Sequence, residues 1–97
     1  MATVVYGDFE WDEGKAEANL AKHGVSFEEA ADALATDPNE ISIEDPTEPG
    51  RVDSLVLSPH NPRVLFVVST DAGARTRVIS ARKADRHEQH LYSQDPR

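Results

Sequence analysis

The apolar positions change period several times along the chain, and each change predicts an element. "VVYGDFEW" (4–11) begins as a short strand. Asp12 then stands where an N-cap belongs, and "EGKAEANLAKHG" predicts a helix ended by Gly24. "SFEEAADALA" (26–35) predicts a second helix with Phe27, Ala30, Ala31 and Leu34 on one stripe. Ser26 and Glu29 form its expected capping box, each satisfying the other's amide, and Val25 and Ala30 flank it as a weak hydrophobic staple. Residues 36–50 hold three prolines and five acids and read as a connection, with room for a short strand at 41–44. Three strands are expected next, at Val52–Ser58, Arg63–Thr70 and Arg75–Ala81. "SPHNPR" and "DAGAR" between them are turn chemistry, so antiparallel hairpins should join them. "VLFVV" (64–68) is apolar throughout and is the expected central strand, buried on both faces. A last helix is expected at about 83–92. The resulting order, β-α-α-β-β-β-α, predicts an α+β fold: an antiparallel sheet of about four strands with helices on one face and the other face available. Residues 1–93 form one expected domain and 94–97 a short tail.

Composition narrows the function classes. A chain of 97 residues supports one modest core. The absence of cysteine excludes disulfides, a thiol nucleophile and any Cys-ligated zinc site, and suits a reducing cytoplasm. No apolar run approaches a membrane span, and no positive segment precedes the apolar start, so neither a membrane anchor nor a signal peptide is expected. The net charge of −8 conceals an asymmetry. Residues 1–50 carry thirteen acids against Lys15 and Lys22, a balance of −11; residues 51–97 carry eight Lys/Arg against five acids, a balance of +3. Such a split marks either a basic working face on an acidic scaffold or an ordinary solubilising surface.

The candidate chemistry lies in "RVISARKADRHEQHLY" (77–92). Strict alternation puts Arg75, Arg77, Ile79 and Ala81 on one strand face and Thr76, Val78, Ser80 and Arg82 on the other. Arginines two apart make a phosphate-sized strip, because a guanidinium can hold a phosphate through two hydrogen bonds. Salt bridges to the acidic half would explain the same strip. Arg82 and Lys83 fall at the expected strand–helix junction. On the final helix Ala84, Glu88 and Leu91 share a stripe, with Tyr92 beside Glu88, and Lys83, Arg86, His87 and His90 lie on the neighbouring one. Glu88 should meet an arginine of the sheet. His23 after Lys22 at a helix C-terminus fits the helix dipole, and His60 has no evident role. The histidines lack metal-site spacing, and the phosphate loop, nucleophile elbow and dinucleotide fingerprint are missing. This inventory permits metal-independent RNA cleavage as one option among several. Such cleavage needs the 2′-OH deprotonated, the pentavalent phosphate stabilised and the leaving oxygen protonated; Arg and Lys can do the second, and His, Lys or Glu the others.

Two blocks then match a known family. Trp11, Asp12, Lys15, Asn19, Lys22, His23, Gly24, Val25, Phe27 and Ala30 fit W-D-x-x-K-x-x-x-N-x-x-K-H-G-V-x-F-x-x-A. Arg77, Ile79, Ser80, Ala81, Arg82, Lys83 and Ala84, followed by Glu88 and Tyr92, fit a closing R-x-I-S-A-R-K-A pattern. With the isolated Arg51 between them, the chain resembles the BrnT family of RelE-like ribonuclease toxins from type II toxin–antitoxin systems. The resemblance implies a RelE-like fold, metal-independent endoribonuclease activity that inhibits translation, and no cofactor. It also implies a BrnA-type antitoxin partner and a homodimer within that complex, in the cytoplasm. It points to Arg51, Arg77 and Arg82 for phosphate binding and transition-state stabilisation, with Glu88 and Tyr92 orienting them. It adds Lys22, His23 and Lys83 as further RNA contacts, and the strip and cluster above add Arg75 and Arg86. The middle departs from the family: "VDSLVLS" has no glycine after Arg51, and "SPHNPR" replaces a shorter turn. The alternatives are a toxin-fold module that mainly binds its antitoxin, and a nucleic-acid-binding protein that does not cut.

Overall fold

The computed structural model describes residues 2–94. Its elements are β1 (Thr3–Tyr6), β2 (Phe9–Asp12), α1 (Glu13–His23), α2 (Phe27–Thr36), β3 (Ile41–Glu44), β4 (Arg51–Leu57), β5 (Val64–Asp71), β6 (Thr76–Lys83) and α3 (Arg86–Gln94). One sheet holds all six strands in the order β1-β2-β6-β5-β4-β3. Neighbours are antiparallel except β2 and β6, which run parallel. The fold is α+β as expected, but the sheet has six strands instead of about four. The opening segment folds as a hairpin, with Tyr6 opposite Phe9, because Gly7 takes φ 61° at the first turn position. The segment at 41–44 adds the other edge strand. The helix expected at 83–92 begins later, since β6 continues to Lys83. Of the expected tail, Gln94 belongs to α3 and the rest lies outside the described residues.

Local chemistry sets the helix ends. Asp12 caps α1 by accepting from the Lys15 amide at 2.9 Å, and Gly24 closes it in the left-handed region with φ 70°. Ser26 caps α2 by accepting from the Glu29 amide at 3.0 Å. The return half of that capping box is replaced: the Glu29 carboxylate takes two bonds from Arg63, at 2.7 and 3.1 Å. Arg63 also donates to the Gly24 carbonyl, so one side chain ties the loop before β5 to both helices. Glu29 is almost wholly enclosed. Burial opposes its ionisation, but hydrogen bonds from Arg63 and Ser58 and the charge of Arg63 outweigh it and hold the carboxyl below its usual range.

Both α1 and α2 lie on one face of the sheet. Trp11, Val25, Phe27, Val56, Leu65, Val67 and Val78 form the core there, and Trp11 meets Phe27 edge-on at 5.9 Å. Alanines 30, 31 and 33 are fully buried and let α2 approach closely. Buried Asn19 completes this layer. Its Nδ2 donates to Val25 O and Ala81 O, and its Oδ1 accepts from Ala81 N. β2 pairs with β6 only at residues 76 and 77, so Asn19 does for Ala81 what a strand neighbour would do. Asn19→Ala is expected to destabilise the fold by about 3 kcal/mol by orphaning these groups, as read from urea unfolding.

Candidate ribonuclease face

The face away from α1 and α2 is organised by one irregularity. Between Val68 and Ser69 the β5–β6 register shifts, with Val68 opposite Ser80 but Ser69 opposite Val78. Ile79 is the extra residue of a β-bulge on β6, and past it the side chains exchange faces. Val78 and Ala81, three apart, both turn into the core. Arg77 and Arg82, which alternation assigns to opposite faces, therefore share the open face. Arg51, Thr70 and Arg77 lie in one row across β4, β5 and β6. Four residues along β5, roughly 13 Å away, Phe66 pairs with Arg82 on the same face.

Each of these arginines has an anionic partner. Arg77 Nη1 donates to Glu10 Oε2 at 2.7 Å, across the β2–β6 pair. Arg82 grips Glu88 through two bonds of 2.8 and 3.0 Å and lies over the Phe66 ring, 4.3 Å from its centroid. Glu88 also accepts from the Asp85 amide at 2.9 Å, and Asp85 accepts from the Glu88 amide at 2.8 Å. That is a complete capping box at the start of α3, so the carboxylate that orients Arg82 is itself fixed by the helix it begins. Hydrogen bonding and charge from Arg82, with the Asp85 amide, hold the Glu88 carboxyl below its ordinary range against partial burial. The expectation that Glu88 meets a sheet arginine is met. Arg51 bonds Glu48 at 3.1 Å and Asp53 at 3.3 Å, with Asp45 at 3.7 Å. Hydrogen bonds to Glu48 and Asp53 bind its proton more firmly than in a free arginine. The acidic loop is held in place, because the Asp45 amide donates to Arg51 O and the Arg51 amide to Glu48 O.

The remaining candidates are dispersed. Arg75 opens the hairpin end beside the Arg77 row. Lys83 pairs with Leu65 and so belongs to the helix-covered face, although it is exposed. Lys22 and His23 end α1, and Asn19 docks that helix against Ala81, so they too lie on the opposite side from Arg51 and Arg77. Arg86 is exposed in the first turn of α3. The Tyr92 hydroxyl donates to Asp37 at 2.7 Å, and Asp37 also accepts from the Leu57 amide. Tyr92 thus anchors α3 to the end of α2. Among the described residues no three His, Asp or Glu side chains converge as a metal site. Phe66, Thr70, Glu10, Glu48 and Asp53 belong to this face but escaped sequence reasoning. Cross-strand register selects them, and a single sequence does not display it.

Residues 11–88 match the family model described as "Ribonuclease toxin, BrnT, of type II toxin-antitoxin system". Among solved structures, the chain is similar to the Brucella abortus ribonuclease toxin BrnT, determined at 1.1 Å. The identity is 26%, with 78% of this chain and 94% of that chain covered and a TM-score of 0.58. No curated protein matches it.

Proposed function

Because the chain belongs to the BrnT family of ribonuclease toxins of type II toxin–antitoxin systems, we propose that it cleaves RNA on the open sheet face, without a metal ion, and thereby inhibits translation in the cytoplasm. A BrnA-type antitoxin neutralises it in a complex that contains a toxin homodimer. The supporting observation is the sharing of one face by Arg51, Arg77 and Arg82, which the bulge at Ile79 produces. Guanidinium groups so arranged can hold the RNA backbone and stabilise charge on the pentavalent phosphate as the 2′-oxygen attacks and the 5′-oxygen leaves. Glu88 positions Arg82, and Glu10 positions Arg77. Expression of the chain alone is expected to arrest growth and degrade RNA, and co-expression of the antitoxin to restore both. Harmless expression at a confirmed protein level contradicts the reading.

The carboxylates favour a second reading, a weakened toxin whose main activity is antitoxin binding, because RNA phosphate must share Arg51 with three anions. The two readings diverge in one variant. Glu48→Gln combined with Asp53→Asn is expected to raise cleavage at low RNA concentration by about tenfold. It should also steepen the log–log salt dependence of single-stranded RNA affinity by about 0.7, the signature of one further phosphate contact. An unchanged slope removes Arg51 from the RNA interface.

A further inference from the structure

Beside the arginines, α3 stands off from the sheet and leaves an open groove of about 610 Å³. Ile41, Ile43, Leu55 and Phe66 form its sheet side, and Leu91 and His87 face them from α3. Ile43 is 67% exposed and Leu91 47%, on neighbouring walls of this one hollow. Apolar surface of this kind marks an interaction site on a soluble chain.

We propose that this groove receives an amphipathic segment of the antitoxin, with aliphatic or aromatic side chains flanked by Lys or Arg. The proposal rests on the family assignment, which supplies an antitoxin as partner, and adds where it docks and what docks there. Charge selects protein over RNA as the occupant. Asp53 and Glu88 line the groove; Glu88 is matched by Arg82, but Arg51 beside Asp53 is outnumbered by Asp45, Glu48 and Asp53, so this side keeps an excess of negative charge. That surface repels a phosphate backbone and attracts a basic peptide. β3 also ends the sheet, so its outer backbone edge is available for an added strand among the described residues. The location explains neutralisation. The groove shares Phe66 with the Arg82 contact and Glu88 with its ion pair, so an occupant abuts Arg82 and closes that end of the face to RNA.

The test uses the whole chain and the antitoxin encoded with it. Ile43→Arg and Leu91→Arg, each at an exposed position, are expected to weaken antitoxin affinity by about 30-fold or more. RNA cleavage by the free variants should not fall below the wild-type rate. Leu20→Arg, equally exposed on α1 across the sheet, should leave affinity unchanged. Where either arginine variant unfolds, the Ile43→Ala/Leu91→Ala double variant replaces it, with a tenfold loss expected. Wild-type affinity in the folded variants overturns the proposal. So does loss of cleavage with affinity retained, which would make the groove an RNA subsite. Failure of the family-based reading appears separately, as a wild-type chain that neither cleaves RNA nor binds this antitoxin.

Discussion

Arg82→Ala is expected to lower RNA cleavage by about 100- to 1,000-fold, the loss that accompanies removal of one donor from a charge-stabilising site. The geometry gives the reason. Arg82 is held in a fixed orientation from two sides, by the bidentate Glu88 carboxylate and by the Phe66 ring beneath it. A guanidinium held this way loses little freedom when it meets a phosphate. Arg82→Lys should rescue little, because an ammonium cannot reproduce the planar fork that engages both Glu88 oxygens. The structural cost should be small, about 1 kcal/mol, since the pair is partly exposed and the Asp85–Glu88 capping box survives. Activity and stability therefore separate in this variant. Rate constants for RNA cleavage, measured with protein shown to be folded, read the first; urea unfolding reads the second. A variant that cleaves at the wild-type rate takes Arg82 out of the site.

Arg63→Ala is expected to destabilise the fold by about 3 kcal/mol, as much as Asn19→Ala, without acting on the RNA face. It strips the partner from Glu29, whose side chain is only 6% exposed, and leaves a carboxylate in a nearly dry site. It also removes the bond to Gly24 O that joins the end of α1 to the same cluster. The pH dependence gives the mechanism away. In the native chain the Glu29 carboxyl lies below its unfolded value, so the pair's contribution is present above about pH 4.3 and declines as pH falls through the folded value. In Arg63→Ala, only the hydrogen bonds from Ser58 and Asn61 still oppose burial, so the carboxyl rises from its native value. The folded variant then binds a proton more readily than the folded native chain, so its deficit is largest near neutrality and shrinks as the solution is acidified. A deficit that stays constant from pH 7 to pH 4 would mean that lost packing, not an unpaired charge, destabilises the variant.

The elements written in local chemistry were legible from sequence: the Asp12 and Ser26 caps, the Gly24 stop, the apolar stripe of α2 and the hairpins after β4 and β5. Two local signals were also present and passed over. Gly7-Asp8 is a two-residue hairpin turn, and Asp85 with Glu88 is a capping box that starts α3 after β6 has ended. Other features depend on distant partners. Glu29 fits a capping box by spacing, yet Arg63, 34 residues away, claims its carboxylate. The bulge at Ile79 leaves no mark in "RVISAR", because Val, Ile, Ser and Ala suit either face, so alternation split Arg77 from Arg82. β5 is expected to be buried on both faces: Leu65 and Val67 enter the core and Val68 is buried on the other face, but Phe66 on that face is only partly buried beneath Arg82. Acidity in the first half had no visible address along the chain. Folding sends Glu10, Asp45 and Glu48 to the open face, where Asp53 joins them, so scaffold and working surface interlock.

If one bulge-aligned arginine face cleaves RNA unaided by metal, chelation leaves the activity intact and loss of its arginines does not. Single-turnover cleavage of a single-stranded RNA by the purified chain in excess EDTA tests it most directly, with Arg51→Ala, Arg77→Ala and Arg82→Ala run in parallel. The wild-type chain is expected to cut under chelation and each variant to lose at least tenfold in rate, Arg82→Ala most of all. Wild-type cleavage that appears only with added divalent metal, or variants that all cut at the wild-type rate, would contradict it.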